Sequence, residues 1–182
     1  MRDCVFHLLI EGRGQPQYWL HVEAAATATL LDLDRFLRDI WVECCGHLSA
    51  FTIGQTSFSV SPDEEFDDES MDVALGQVLG PGLKFRYEYD FGSTTELILN
   101  VLSVREGVVG DEAVQLLAEN DPPLITCQCG KPAVRVCAQC MWEGAGWLCR
   151  DCADKHACGE EMLLPVVNSP RVGMCAYTGR PC

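Results

Sequence analysis

Basic residues are scarce in this chain: 13 Lys and Arg stand against 27 Asp and Glu, giving a formal charge of −14 over 182 residues. So acidic a surface repels phosphate backbones at a distance, which argues against a purely electrostatic nucleic-acid binder. The shortage is uneven. Residues 1–126 hold 22 acids and 7 bases, whereas residues 127–182 hold 5 acids and 6 bases, so the near-neutral end keeps the capacity for a local nucleic-acid contact. Long apolar runs are missing as well. None approaches the roughly 18–20 residues that a bilayer crossing needs, and Met1, Arg2 and Asp3 do not begin a signal peptide. The expectation is a cytoplasmic protein with no membrane partner. No glycine-rich phosphate loop and no nucleophile-base-orienter group is legible, which leans away from an enzyme. An enzyme centred on Asp90, His47 or Cys45 requires a cleft that brings those residues together. The acidic run over residues 62–70 lacks the alternating ligands and central glycine of a calcium loop and reads as a solvated connection.

What the chain has in abundance is cysteine, 12 in all, nine of them in the last 56 residues. The pairs Cys127/Cys129, Cys137/Cys140, Cys149/Cys152 and His156/Cys158, trailed by Cys175 and Cys182, have the spacing of metal ligands. Thiolates one or two residues apart can point at one ion, and eight such ligands suffice for two tetrahedral zinc sites. In a reducing compartment, clustered thiols are ligands rather than disulfide partners. Gly130 after Cys129 suits a zinc knuckle, and a helix starting near Cys149 lines up Cys149, Cys152 and His156 on one face. Spacing leaves two ligand schemes open. In the interleaved one, Cys127, Cys129, Cys149 and Cys152 share one zinc, and Cys137, Cys140, His156 and Cys158 the other, as in cross-brace fingers. In the sequential one, neighbouring pairs combine. The interleaved scheme is preferred, because gathering Cys149, Cys152, His156 and Cys158 on one ion strains a short helix. Cys175 is a substitute for Cys158 or Cys129. Every candidate set is closed by four protein ligands, which marks the zinc as structural.

Elsewhere the bland readings carry more weight. Cys44, Cys45 and His47 are expected to be buried, since free cysteine behaves as a small apolar side chain and adjacent cysteines chelate one ion poorly. His7 and His21 sit in strands, where they pack or face solvent. Asp90 reads as a turn-forming carboxylate. Met141, Trp142 and Trp147 are either anchors for a protein partner or packing over the metal.

At 48% hydrophobic content the chain can build one ordinary core and a small satellite. Residues 4–10 and 18–23 read as strands around a turn. Thr29 and Asp32 form a capping box for a helix whose apolar face is Leu30, Leu33, Leu37 and Ile40. Residues 50–60 read as a hairpin turning at Gly54-Gln55, and residues 71–79 as a short helix. Residues 83–91 alternate, with Phe85, Tyr87, Tyr89 and Phe91 on the core side rather than exposed for base stacking. Residues 95–104 are apolar on both faces, as in a central strand. A further helix over 111–119 ends before Asp121-Pro122-Pro123, taken as a boundary. The fold class predicted is α+β, an antiparallel sheet with packed helices over residues 1–121, plus a small zinc-finger-like module over 122–182.

The string LDLDRFLRDIWVECCGHLSAF at 31–51, followed by LKFRYEYDFGSTTELIL at 83–99, resembles the plasmid ORF-three-like family, named for a reading frame on a root-inducing plasmid. The resemblance covers most of residues 1–105. It rests on the helix with Gly46, His47, Leu48 and Phe51, on the hairpin, and on the Tyr-x-Tyr-Asp-Phe-Gly block at Tyr87 to Gly92. It implies an α+β fold and a mobile-element neighbourhood, but no biochemical activity. In the usual family pattern an aspartate, a tryptophan and a histidine follow that block, where this chain has Ser93, Thr95 and Glu96. A catalytic or metal role is therefore not carried over to the sheet. The cysteine-rich tail resembles that of a subgroup which also carries Cys44, Cys45 and His47. Two function classes follow: a zinc-stabilised interaction or adaptor protein with a protein partner, and a mobile-element-associated nucleic-acid binder working through the zinc tail.

Overall fold

The computed structural model describes residues 4–63, 68–110 and 112–180; Met1 to Asp3, the middle of the acidic run, Asp111, Pro181 and Cys182 lie outside them. Strands β1 (Cys4–Gly12) and β2 (Gln15–Ala25) form a hairpin and lead to helix α1 (Leu30–Leu37). The helix starts where the capping box places it: Thr29 Oγ1 accepts from the Asp32 amide at 3.1 Å, and Asp32 Oδ2 from the Thr29 amide at 2.9 Å. One wider turn, Arg38–Val42, continues it and buries Ile40, Trp41 and Val42. Then come β3 (Ser49–Ile53), β4 (Thr56–Ser59), β5 (Glu69–Ser70), the single turn α2 (Leu75–Val78), β6 (Lys84–Tyr89), β7 (Thr95–Glu106) and β8 (Val114–Glu119).

These strands make one eight-stranded sheet in the order β5-β4-β3-β6-β7-β1-β2-β8. Its pairings are antiparallel except β4 with β5. Strand β7 lies between β6 and β1, as expected of a central strand, but only one of its faces is in the core: Leu97, Leu99 and Val101 are buried, whereas Ile98 is half-buried and Leu102 is 43% exposed. Alternation along β6 puts Phe85, Tyr87 and Tyr89 in the core against Leu33, Leu37 and Trp41 of the helical layer. Phe91 does not follow them and is 56% exposed. Asp90 has φ +64, so the chain leaves the pleat before Phe91 and the alternation ends there.

Two expected helices are corrected. Residues 114–119 are strand β8, paired with the outer edge of β2 from Ala24↔Val114 to Leu20↔Glu119. Without β8, the edge of β2 would offer a row of unpaired amides and carbonyls, and satisfying them outweighs the modest helix preference of VQLLAE. Residues 71–74 are not helical, and only Leu75–Val78 is. The carbonyls of Val73 and Met71 accept the amides of Leu30 and Leu31, each at 3.1 Å, supplying partners to first-turn donors that a helix leaves unsatisfied. The result is a sheet protein with few helices; among the described residues only α1 exceeds one turn. None is long and apolar enough to cross a membrane.

After residue 120 the chain builds a small second sheet, β9 (Arg135–Cys137), β10 (Trp147–Leu148) and β11 (Leu163–Pro165), in the order β10-β9-β11, with the single-turn α3 (Arg150–Ala153) beside it. Val136, Leu164 and Val172 belong to the same apolar cluster as the front sheet. Residues 168–180 return to the front layer. Ser169 Oγ donates to the Trp41 carbonyl at 2.7 Å, and Asn120 Nδ2 donates to Asn168 Oδ1 at 2.7 Å.

Candidate metal centre

The eight spaced ligands of the tail fall into two groups of four, each with its ligand atoms within 4.8 Å of one another: Cys127, Cys129, Cys149 and Cys152, and Cys137, Cys140, His156 and Cys158. This is the interleaved grouping. Local geometry explains it. Gly130, at φ +84, takes the left-handed conformation that closes the first knuckle, with its amide on the Cys127 carbonyl at 2.9 Å. Cys149 caps α3 and Cys152 sits within it. Because α3 stops at Ala153, His156 is not carried along the same helical face as the sequence suggested. It leaves for the second group, where Nε2 is 3.5 Å from Cys140 Sγ. Cys158 Sγ is 3.6 Å from the same sulfur, and in the first group Cys129 and Cys149 are 3.5 Å apart.

The second knuckle is tight. A short 3-10 turn, Cys140–Glu143, ends at Gly144 in the left-handed region, and a Cβ on Gly146 would come 2.4 Å from the Met141 nitrogen. The turn leaves Trp142 68% exposed. Met141 and Trp147 instead pack against the core cluster.

Electrostatics within the groups is that of crowded thiols. The amides of Cys129 and Cys149 point at Cys127 and hold its thiol at about 6, while Cys127, Cys149 and Cys129 push the Cys152 thiol up to about 12. Burial opposes ionisation of Cys137, yet the Cys140 amide and the His156 ring outweigh it and leave that thiol at about 7. Cys158 and then Cys137 push Cys140 up to about 12. Each group thus pairs a thiol of lowered pKa with one of raised pKa, a division expected when thiols crowd together, and thiols so placed could serve as metal ligands.

The structure overturns the expected burial of Cys44, Cys45 and His47. Cys45 is exposed and Cys44 half-buried. Cys175 belongs to neither tail group: its sulfur is 3.7 Å from Cys45 Sγ and 3.2 Å from His47 Nε2. Sequence reasoning had no signal for this, because 130 residues separate Cys45 from Cys175. It also missed Arg171, which is fully buried and donates to Asp90 Oδ2 at 2.7 Å, the Ser93 carbonyl at 3.0 Å and Thr95 Oγ1 at 2.9 Å. Asp90 does form the turn expected of it, accepting the Gly92 and Ser93 amides at 3.0 and 3.2 Å. His7 and His21 pair with each other, Nε2 to Nδ1, at 2.9 Å.

The molecule is thus a predominantly antiparallel sheet protein bearing clusters of thiol and imidazole ligands on a carboxy-terminal extension. Residues 4–123 match the model of the family described as Plasmid pRiA4b ORF-3-like protein, and the chain belongs to that family. The crystal structure of a protein of unknown function, MM3350 from Methanosarcina mazei Go1, is similar in fold: the TM-score is 0.59 at 20% identity, covering 65% of this chain and 71% of that one. A search of curated proteins finds none that matches.

Proposed function

We propose that the two tail groups each hold one zinc ion in a structural role, and that the chain is a zinc-stabilised interaction or adaptor protein. The observation that carries this reading is the interleaved gathering of Cys127, Cys129, Cys149 and Cys152, and of Cys137, Cys140, His156 and Cys158, into two four-ligand sets. Soft thiolates with imidazole select zinc among the abundant divalent ions. Four protein ligands complete a tetrahedron and leave no position for a reacting water. Binding then supplies folding energy, on the order of 10 kcal/mol per site in zinc-finger peptides. That matters here because the tail's own sheet has strands of only two or three residues. Trp142, exposed beside Cys140, is the side chain best placed to anchor a protein partner. The division into a front domain of residues 1–121 and a zinc module of 122–182 belongs to the same reading, as does a reducing, cytoplasmic setting.

Metal analysis of the purified chain tests the first half: Cys140→Ser and Cys152→Ser should each remove one zinc. Chelator treatment should expose residues 127–165 to protease while β1 to β8 stay protected, and an unchanged digestion pattern counts against structural zinc. The second half is tested by electrophoretic binding to DNA and RNA across salt concentrations. Weak binding at every salt concentration supports an adaptor, whereas tight binding that falls steeply with salt would replace that reading with the nucleic-acid one.

A further inference from the structure

We propose that Cys44, Cys45, His47 and Cys175 form a third metal centre, a Cys3His site for a thiophilic divalent cation of the zinc type, which fastens the carboxy-terminal segment to the end of the front sheet. The four ligand atoms lie within 4.8 Å of one another. Around a tetrahedral zinc, bonds of about 2.3 Å to sulfur and about 2.0 Å to nitrogen set neighbouring sulfurs about 3.8 Å apart and sulfur and nitrogen about 3.5 Å apart. Here Cys44 and Cys45 are 3.6 Å apart and Cys45 and Cys175 3.7 Å, with His47 Nε2 at 3.0 and 3.2 Å from Cys45 and Cys175. These sulfur spacings are close to the 3.5 and 3.6 Å found within the tail groups.

Backbone strain points the same way. Cys175 and Ala176 are consecutive non-glycine residues in the left-handed region, at φ +44 and +56. Non-glycine residues enter that region only at a steric cost, and the conformation brings Cys175 Sγ to the cluster. Gly46, at φ +75, makes the matching turn between Cys45 and His47 without that cost. The turn is why two adjacent cysteines and a histidine two residues on converge, against the expectation from an extended chain.

A built framework surrounds the ligands, as metal sites require. Tyr89 Oη accepts the amides of Cys44 and His47 at 3.4 and 3.3 Å and donates to Glu43 Oε1 at 3.0 Å. Arg38 Nη2 holds the His47 carbonyl at 2.8 Å, and the His47 ring stands edge-on to Tyr89. Three thiolates and a divalent cation leave one negative charge. Arg171 Nη2, 3.4 Å from Cys44 Sγ, lies against it.

The rival chemistry for a Cys, a His and an Asp in contact is nucleophilic catalysis. That arrangement needs the imidazole to use one nitrogen for the nucleophile and the other for the carboxylate. Here Nε2 faces Cys45, Cys175 and also Asp90 Oδ2, the last at 3.5 Å, and that carboxylate is already engaged by Arg171. Convergence on one nitrogen is the geometry of a ligand.

The test is metal content of the intact chain, purified anaerobically with zinc present, for the wild type, Cys175→Ser and Cys45→Ser/Cys175→Ser. Both sulfurs are exposed, so the substitutions do not open the core, and circular dichroism should match the wild type. The expected result is one fewer zinc per chain in the double variant. In the cobalt-loaded protein, seven of the ten thiolate ligands remain, with a loss of about a third of the thiolate-to-cobalt charge-transfer absorption. Cys140→Ser as a parallel variant separates the sites: if the tail binds no metal, the wild type holds one ion and the double variant none. An unchanged zinc count in the double variant overturns the third centre, as does a Cys44–Cys45 or Cys45–Cys175 disulfide in the zinc-loaded wild type.

Discussion

Replacing Arg171 by Met removes a cation from a place water does not reach. The guanidinium has no exposed surface and spends Nη1 on the Ser93 carbonyl and Thr95 Oγ1 and Nη2 on Asp90 and Cys44. It also lies over the Tyr89 ring at 4.8 Å. Methionine keeps much of the volume but leaves the Asp90 carboxylate, only 8% exposed, with two backbone amides and the His47 ring at 3.5 Å in place of its guanidinium partner. Breaking a buried pair in this way costs about 3–5 kcal/mol, a large part of the roughly 5–15 kcal/mol that a domain has in total. With a urea dependence of about 2 kcal/mol per molar, the midpoint should fall by about 1.5–2.5 M. The assay is equilibrium urea unfolding at saturating zinc, followed by far-UV circular dichroism and by tryptophan fluorescence, to which buried Trp41 contributes. Asp90→Asn with Arg171→Met should cost less than the two single losses added together, because no unpaired charge is left behind. A loss below about 1 kcal/mol for Arg171→Met, or strict additivity in the double variant, would refute the view that this pair locks the carboxy-terminal segment to the sheet.

Gly146→Ala should loosen the tail by about 1–3 kcal/mol, since the new Cβ would meet the Met141 backbone at 2.4 Å; faster proteolysis near residue 146 is the readout, and wild-type resistance would contradict it. Thr29→Ala should lower stability by about 1 kcal/mol through loss of the capping box, read as a small drop in melting temperature that leaves zinc content alone. The Glu23 carboxyl is held below its ordinary value chiefly by its hydrogen bond from Arg105. A depressed folded-state value means that this pair stabilises above the unfolded value near 4.3 and ceases to do so as pH falls through the folded one. Because Arg105 is about half exposed, Arg105→Ala should lower stability only slightly at pH 7. Measured against the wild type in thermal melts, that difference should shrink as the pH falls below the unfolded value; one that grew on acidification would reverse the sign of the argument.

Much of this protein was legible from local sequence because the physics involved is local. The Thr29/Asp32 box, the Gly54-Gln55 hairpin and the alternation through Tyr89 depend on neighbours a few residues apart, and the structure has each of them. The grouping of the tail cysteines was legible in part: spacing left two schemes open, and the strain of gathering Cys149, Cys152, His156 and Cys158 on a short helix favoured the interleaved one, which is the grouping in the structure. Tertiary structure decided the rest. VQLLAE reads as helix in isolation, and only the open edge of β2 makes it a strand. Residues 71–74 stay out of the helix, where the carbonyls of Met71 and Val73 serve the free amides of α1. Cys44, Cys45 and His47 resembled a buried apolar turn until the chain, 130 residues later, brought Cys175 beside them and Arg171 beneath. Spacing along a chain constrains which side chains can share a point only over a few residues, and beyond that the packing of the sheet determines which sulfurs meet.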